Sequence, residues 1–147
     1  MGRASVRAKC RVVNRYLLDT NIVSYFIRGF DAALVDRVTH VLEAQTATIS
    51  VITRAELRFG QASLVAADKR KRAIDLVLTQ LTVLPWTSAA ADIYGPLKDK
   101  LKRQGTLIGD MDTLIVAHAL AEELVLVTHN TRHFEKIPGL KLEDWMV

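Results

Sequence analysis

Short apolar runs alternate with helix-periodic segments along this chain, and that alternation limits what it can fold into more than any other feature. Tyr16-Leu17-Leu18 is an apolar run ending at Asp19, after which Ile22, Tyr25 and Phe26 recur at helical spacing until Gly29. Leu34, Val35, Val38, Val41 and Leu42 mark a helix over 33–42, residues 46–51 form a β-branched run, and a second helical segment follows it to Gly60. The periodicity then predicts a helix over 69–81, a short strand over 82–84 and a helix over 88–103 that breaks near Gly95-Pro96. A helix over 112–123 and a continuous strand run over 124–127 follow, with a last short strand near Lys141-Leu142. Unbroken apolar strands separated by helices predict an α/β fold, with a parallel sheet covered on both faces. In such sheets ligands gather at the carboxyl ends of the strands, where the next helices begin.

Three acids fall where that rule places a site. Asp19 closes the first strand, Glu56 lies in the first turns of the helix after the second, and Asp112 opens the helix that leads into the 124–127 strand. Thr128 and Asn130, just past that strand, are expected at the same edge. Two carboxylates about 4 Å apart repel by about 4 kcal/mol at an effective dielectric of about 20, so a gathered group must be protonated, kept apart or bound to a cation. Oxygen ligands without His or Cys favour Mg²⁺ or Mn²⁺ over Zn²⁺, and such ions turn water into a nucleophile for phosphodiesters. Each acid also has a purely structural explanation. Asp19 is a suitable helix N-cap, Glu56 pairs with Thr53 in the form of a capping box, and Asp110 and Asp112 complement a helix dipole. His118, inside an apolar stretch, reads as a core histidine or one that backs a site rather than a ligand, and His129 and His133 lack the paired spacing of ligands. None is assigned to metal. Trp86 and Trp145 read as packing residues.

Composition narrows the setting. A chain of 147 residues, half of them hydrophobic, predicts one compact domain with a real core. The net charge of +4 equals the contribution of Arg3, Arg7, Lys9 and Arg11, so the remainder is neutral overall. Residues 1–14 carry no acid and no period and are expected to be a disordered or non-native basic arm, leaving 15–147 as the domain. The basic clusters at Lys69-Arg70-Lys71-Arg72 and at Lys98, Lys100, Lys102 and Arg103 fit solvated helix faces as well as phosphate contacts. A single cysteine, Cys10, excludes an intramolecular disulfide, and no stretch suits a secretion signal or a membrane span, so a cytoplasmic protein is expected. Nucleotide-binding Gly-rich loops and the Gly-x-Ser-x-Gly of acyl chemistry are missing, and Asn21 stands where an Asp-nucleophile phosphotransferase needs a second acid.

The segments Tyr16-Leu17-Leu18-Asp19-Thr20-Asn21, Ile49-Ser50-Val51-Ile52-Thr53-Arg54-Ala55-Glu56-Leu57 and Ile108-Gly109-Asp110-Met111-Asp112-Thr113-Leu114-Ile115-Val116-Ala117-His118-Ala119, in that order, resemble the PIN-domain ribonucleases. With Val127-Thr128-His129-Asn130-Thr131-Arg132-His133-Phe134 and Glu143-Asp144-Trp145, they are most similar to the VapC toxins of bacterial toxin–antitoxin pairs. The resemblance implies a PIN-like three-layer α/β/α fold with a short central parallel sheet of four to five strands. It also implies a metal-dependent endoribonuclease whose catalytic and metal-binding acids are Asp19, Glu56 and Asp112. Asp110, Asn21, Thr128 and Asn130 are expected to support them. The chain departs from many relatives in having no further acid near Thr128-x-Asn130 and in carrying His133 where some have Asp or Glu. The expected substrate is structured RNA, tRNA or rRNA, cut to inhibit translation, and Arg54 and Arg58 are candidate RNA contacts beside the Glu56 segment. The expected partners are a second copy of the chain and a small VapB-like antitoxin, with Tyr25, Phe26, Leu57 and Phe59 as apolar residues to line its groove. Two other readings stay open: a PIN nuclease that processes or degrades RNA without an antitoxin, and a binding module that holds RNA or protein without cleaving.

Overall fold

The computed structural model describes residues 14–29 and 31–146, so the expected arm over 1–14 lies almost wholly outside the described residues. In chain order the elements are β1 (Tyr16–Leu18), α1 (Thr20–Arg28), α2 (Ala32–Glu43), β2 (Ala47–Ser50), α3 (Val51–Ala62), α4 (Lys69–Gln80), β3 (Thr82–Leu84), α5 (Ser88–Arg103), α6 (Asp110–Ala121), β4 (Val125–Val127), α7 (Thr131–Phe134) and β5 (Lys141–Glu143). All strand pairs are parallel, in the order β3-β2-β1-β4-β5. The expected α/β architecture with a five-stranded parallel sheet is therefore what the chain adopts.

Alternate residues of each strand feed two cores, because successive side chains point to opposite faces. Leu18, Ile49 and Val127 join Ile22, Leu34, Leu57 and Leu78 on one face. Leu17 and Leu126 join Leu97, Ile115, Val116 and Phe134 on the other. Both faces are thus covered, and the strands read as unbroken apolar runs for that reason. Central β1 pairs with β2 on one side and β4 on the other, with Leu17 opposite Thr48 and Leu126. The chain leaves β1 toward one edge and later returns to its other side, so a crevice opens at the carboxyl ends of β1 and β4. Asp19 and Thr128 stand at those two ends.

Three elements differ from expectation. Helix α5 runs unbroken through Pro96. Gly95 and Pro96 face solvent, where water can satisfy the carbonyl that proline leaves unpaired, while Ala90, Leu97 and Leu101 anchor the other face. Helix α6 begins at Asp110 rather than Asp112, with Gly109 as an N-cap that offers no side-chain bond. The strand expected over 46–51 stops at Ser50, whose side chain accepts from the Ile52 amide and starts α3. Among the described residues, no helix is long and apolar enough to cross a membrane. Trp145 is buried and packs edge-on to Tyr16, with centroids 5.0 Å apart, and the Trp86 indole N–H donates to the Leu114 carbonyl, so both pack.

Candidate active site

Asp19 is the buried centre of the crevice. Its backbone N–H donates to the Val127 carbonyl at 3.0 Å, which locks the end of β1 to β4. Its side chain caps α1, Oδ1 accepting from the Ile22 amide at 2.8 Å, so the structural role expected of this aspartate is real. Capping accounts for one oxygen. The Thr128 hydroxyl donates to the same carboxyl, and Thr128 in turn accepts from the Asn130 amide at 3.1 Å. Asp19 is only 7% exposed, and burial pushes its carboxyl up to about 6 against the pull of those two hydrogen bonds; the charges of Asp112 and Glu56 push it the same way. The charges of Asp112 and Glu56 both reach Asp19, so the end of β1, α3 and α6 bring the three acids within electrostatic range of one buried carboxyl.

Glu56 reaches the site from the second turn of α3. Thr20, the residue after Asp19, donates its hydroxyl to Glu56 Oε1 at 2.5 Å and stands 3.2 Å from the Thr53 hydroxyl. The capping box suggested by Thr53 and Glu56 is not formed, because Ser50 is the cap and Thr53 already lies inside the helix. Asp112 is half-buried in the first turn of α6, and desolvation raises its carboxyl while His133, with Nε2 at 3.6 Å from Oδ2, opposes the rise. Asp110 faces elsewhere. It is 77% exposed and bonds Lys98 at 3.1 Å on α5.

Asp19, Asn21, Tyr25, Thr128, His129 and Asn130 line one small cavity, which brings Asn21, Thr128 and Asn130 beside the buried acid. A second cleft runs away from Glu56 along Thr20, Leu57, Arg28 and Arg70. Of the apolar residues expected to line a groove, Leu57 and Tyr25 border these clefts, Phe26 packs against the core and Phe59 is 81% exposed. Arg58 is tied to Asp75 at 2.6 Å and to Gln61 at 2.7 Å, whereas Arg54 is half-buried on the same helix. His118 is a core residue, as expected: it is fully buried, with Nδ1 2.8 Å from the Ser50 hydroxyl, and desolvation lowers its pKa. Thr20, His129 and His133 are site neighbours to which sequence reasoning gave no role. Thr20 stands between two residues of the first motif, so its spacing is legible, but its bond to Glu56 spans 36 residues and belongs to the tertiary fold.

The donor set suits a hard divalent cation. Carboxylate, amide and hydroxyl oxygens gather around a buried carboxyl that no Arg or Lys neutralises directly. Among the described residues no three His, Cys, Asp or Glu side chains stand close enough to enclose an ion, since Glu56 is drawn to Thr20 and Asp112 toward His133.

Comparison with known proteins agrees with this geometry. The PIN domain family matches residues 16–140. Ribonuclease VapC2 of Rickettsia felis is 34% identical over 130 residues, spanning 88% of this chain and 97% of the relative. The tRNA(fMet)-specific endonuclease VapC of Shigella flexneri is 34% identical over 131 residues, or 89% of this chain and 98% of the relative. In the crystal structure of DNA-bound VapBC from Salmonella typhimurium, a chain 32% identical superposes with a TM-score of 0.83, covering 90% of this chain and 99% of that one. The chain belongs to the PIN-domain family, among its VapC ribonucleases.

Proposed function

We propose that this ribonuclease is the toxin of a VapBC-type pair, a cytoplasmic endonuclease that cuts structured RNA with a Mg²⁺ or Mn²⁺ ion held by Asp19, Glu56 and Asp112, and so inhibits translation. The observation that carries the reading is the Asp19 carboxyl, pushed up to about 6 by burial and by two neighbouring acids. A fold that gathers carboxylates around a buried acid with no Arg or Lys beside it accepts an energetic penalty that a bound cation would relieve. When bound, such an ion supplies a water acidic enough to attack phosphorus near neutral pH and stabilises the leaving oxygen.

The chain's own residues supply orientation. The Ile22 amide and the Thr128 hydroxyl fix the Asp19 carboxyl in the lining of the cavity. Thr20, next to Asp19 in the chain, holds Glu56 in the adjoining cleft, and Asn21 and Asn130 offer amide donors in the cavity for phosphate oxygens. The Shigella relative's name points to tRNA as the substrate class, and the Salmonella complex supports a small VapB-like antitoxin as partner. A homodimer is part of the same reading. RNA processing without an antitoxin is the second reading, and it loses ground because the likeness is to VapBC complexes.

The test is incubation of the purified chain with total RNA, with and without Mg²⁺, followed by mapping of the cut ends. Discrete cuts in one tRNA, abolished by EDTA and restored by Mg²⁺ or Mn²⁺, are expected. Undiminished cutting after exhaustive chelation overturns the metal assignment, and no cutting of any RNA overturns the nuclease.

A further inference from the structure

His118 is not explained by packing. Among the described residues, its Nε2 is the only buried side-chain nitrogen or oxygen without a hydrogen-bond partner. The neighbouring buried positions of α6 are Ile115, Val116, Ala117 and Ala119, and an apolar side chain at 118 would fill similar space without burying an unpaired ring nitrogen. What the imidazole does have is one bond across the fold, from Nδ1 to the Ser50 hydroxyl at 2.8 Å. Ser50 already accepts from the Ile52 amide at 3.1 Å as the cap of α3. Its hydroxyl hydrogen remains available to donate to Nδ1, the arrangement in which His118 is a neutral acceptor with its ring hydrogen on Nε2.

The position of this bond matters more than its strength. Glu56 lies six residues beyond Ser50 along α3, and Asp112 lies six residues before His118 along α6. Each acid therefore sits about 9 Å along its helix from the contact. A rotation of about 5° about that pivot moves a carboxylate by about 0.8 Å, beyond the roughly 0.5 Å within which a catalytic constellation has to be held.

We propose that the Ser50–His118 hydrogen bond is a positioning device for the nuclease centre: His118, accepting at Nδ1, fixes α6 against the capped start of α3 and so sets the separation of Asp112 from Glu56. The proposal rests on the nuclease reading of that centre. It is tested in the full-length chain with His118→Leu, which removes the acceptor but keeps the bulk, His118→Gln, whose amide oxygen can accept from Ser50, Ser50→Ala, and the Ser50→Ala/His118→Leu double variant. Three quantities are read: kcat and KM on the RNA that the wild type cuts, the thermal midpoint, and Mn²⁺ affinity by electron paramagnetic resonance titration.

His118→Leu is expected to leave the midpoint within a few degrees of wild type, since the Ser50 hydroxyl it orphans offsets the unpaired Nε2 it removes, while lowering kcat about tenfold at unchanged KM, because the placement of the acids has changed. Mn²⁺ binding should weaken in parallel, His118→Gln should restore most of both losses, and the double variant should lose no more kcat than either single one. A kcat within about twofold of wild type for His118→Leu, or losses that add in the double variant, overturns the proposal. So does a loss of activity that only follows a lowered midpoint. Nitrogen-15 spectra of the imidazole must show Nδ1 bare and Nε2 protonated, and the reversed tautomer also overturns it. Should His118→Leu not fold, Ser50→Ala against His118→Gln makes the same comparison. If the wild type cuts no RNA, the nuclease reading fails, and the Mn²⁺ titration still decides whether His118 positions the acids.

Discussion

Replacing Asp19 with asparagine should stabilise this protein while abolishing its activity. The folded carboxyl is pushed up to about 6 from an ordinary 3.8, chiefly by burial. Below the ordinary value both folded and unfolded chains are protonated, and Asp19 has no effect on stability. Between 3.8 and about 6 the unfolded chain ionises while the folded one does not, so stability falls as pH rises; above about 6 the full penalty stands. At about 1.4 kcal/mol per pH unit, that gap is a cost on the order of 3 kcal/mol at neutral pH. Asparagine carries no charge and still accepts from the Ile22 amide as an N-cap, but it weakens the Thr128 bond by about 1 kcal/mol. The net gain is about 2 kcal/mol, or roughly 4–8 °C in midpoint for a chain of this size. Thermal melts of wild type and Asp19→Asn in EDTA at pH 7.5 and pH 4 measure it. A variant no more stable than wild type at pH 7.5, or an advantage that does not shrink at pH 4, would show that Asp19 is not ionised at a cost. Adding Mn²⁺ at pH 7.5 should narrow the difference by stabilising the wild type alone.

Asp112→Asn and Glu56→Gln should each lower kcat at least about a hundredfold with the fold retained, as followed by circular dichroism and single-turnover cleavage; near wild-type turnover removes that acid from the site. Arg58 is held by Asp75 and Gln61, so Arg58→Ala should loosen the α3–α4 contact, whereas Arg54→Ala should lower RNA affinity and flatten its salt dependence by about one phosphate contact. Binding to RNA across a salt series in an Asp19→Asn background measures both, and an unchanged slope for Arg54→Ala removes it from the interface. Leu126→Ala, at a fully buried position of β4, should cost about 2–5 kcal/mol in urea unfolding, and a loss below about 1 kcal/mol would mean that the core behind the site collapses to fill the gap.

The architecture was legible because local rules and burial agree. Strands buried on both faces read as apolar runs, and Gly29, with φ 70° after α1, ends its helix where a left-handed residue is needed. The three acids were legible for a related reason: the carboxyl ends of parallel strands are where side chains from separate segments must meet, so Asp19, Glu56 and Asp112 could be assigned to one edge from their order along the chain. The break expected at Pro96 failed because a helix tolerates proline on its solvent face when its other face is anchored, and facing is a property of the tertiary structure. The same limit hid the neighbours of the acids. Asp110 and Asp112 are two residues apart on one helix, yet one bonds Lys98 and the other faces His133, with its charge felt by Asp19. Nothing in the spacing of Thr20 and Glu56, or of Ser50 and His118, announces a hydrogen bond. Local sequence determined which elements form and at which edge the acids arrive. Only the packing of α3 and α6 against the sheet decided which side chains hold those acids in place, because contacts between residues far apart in the chain depend on how helices cross rather than on any pattern within one helix.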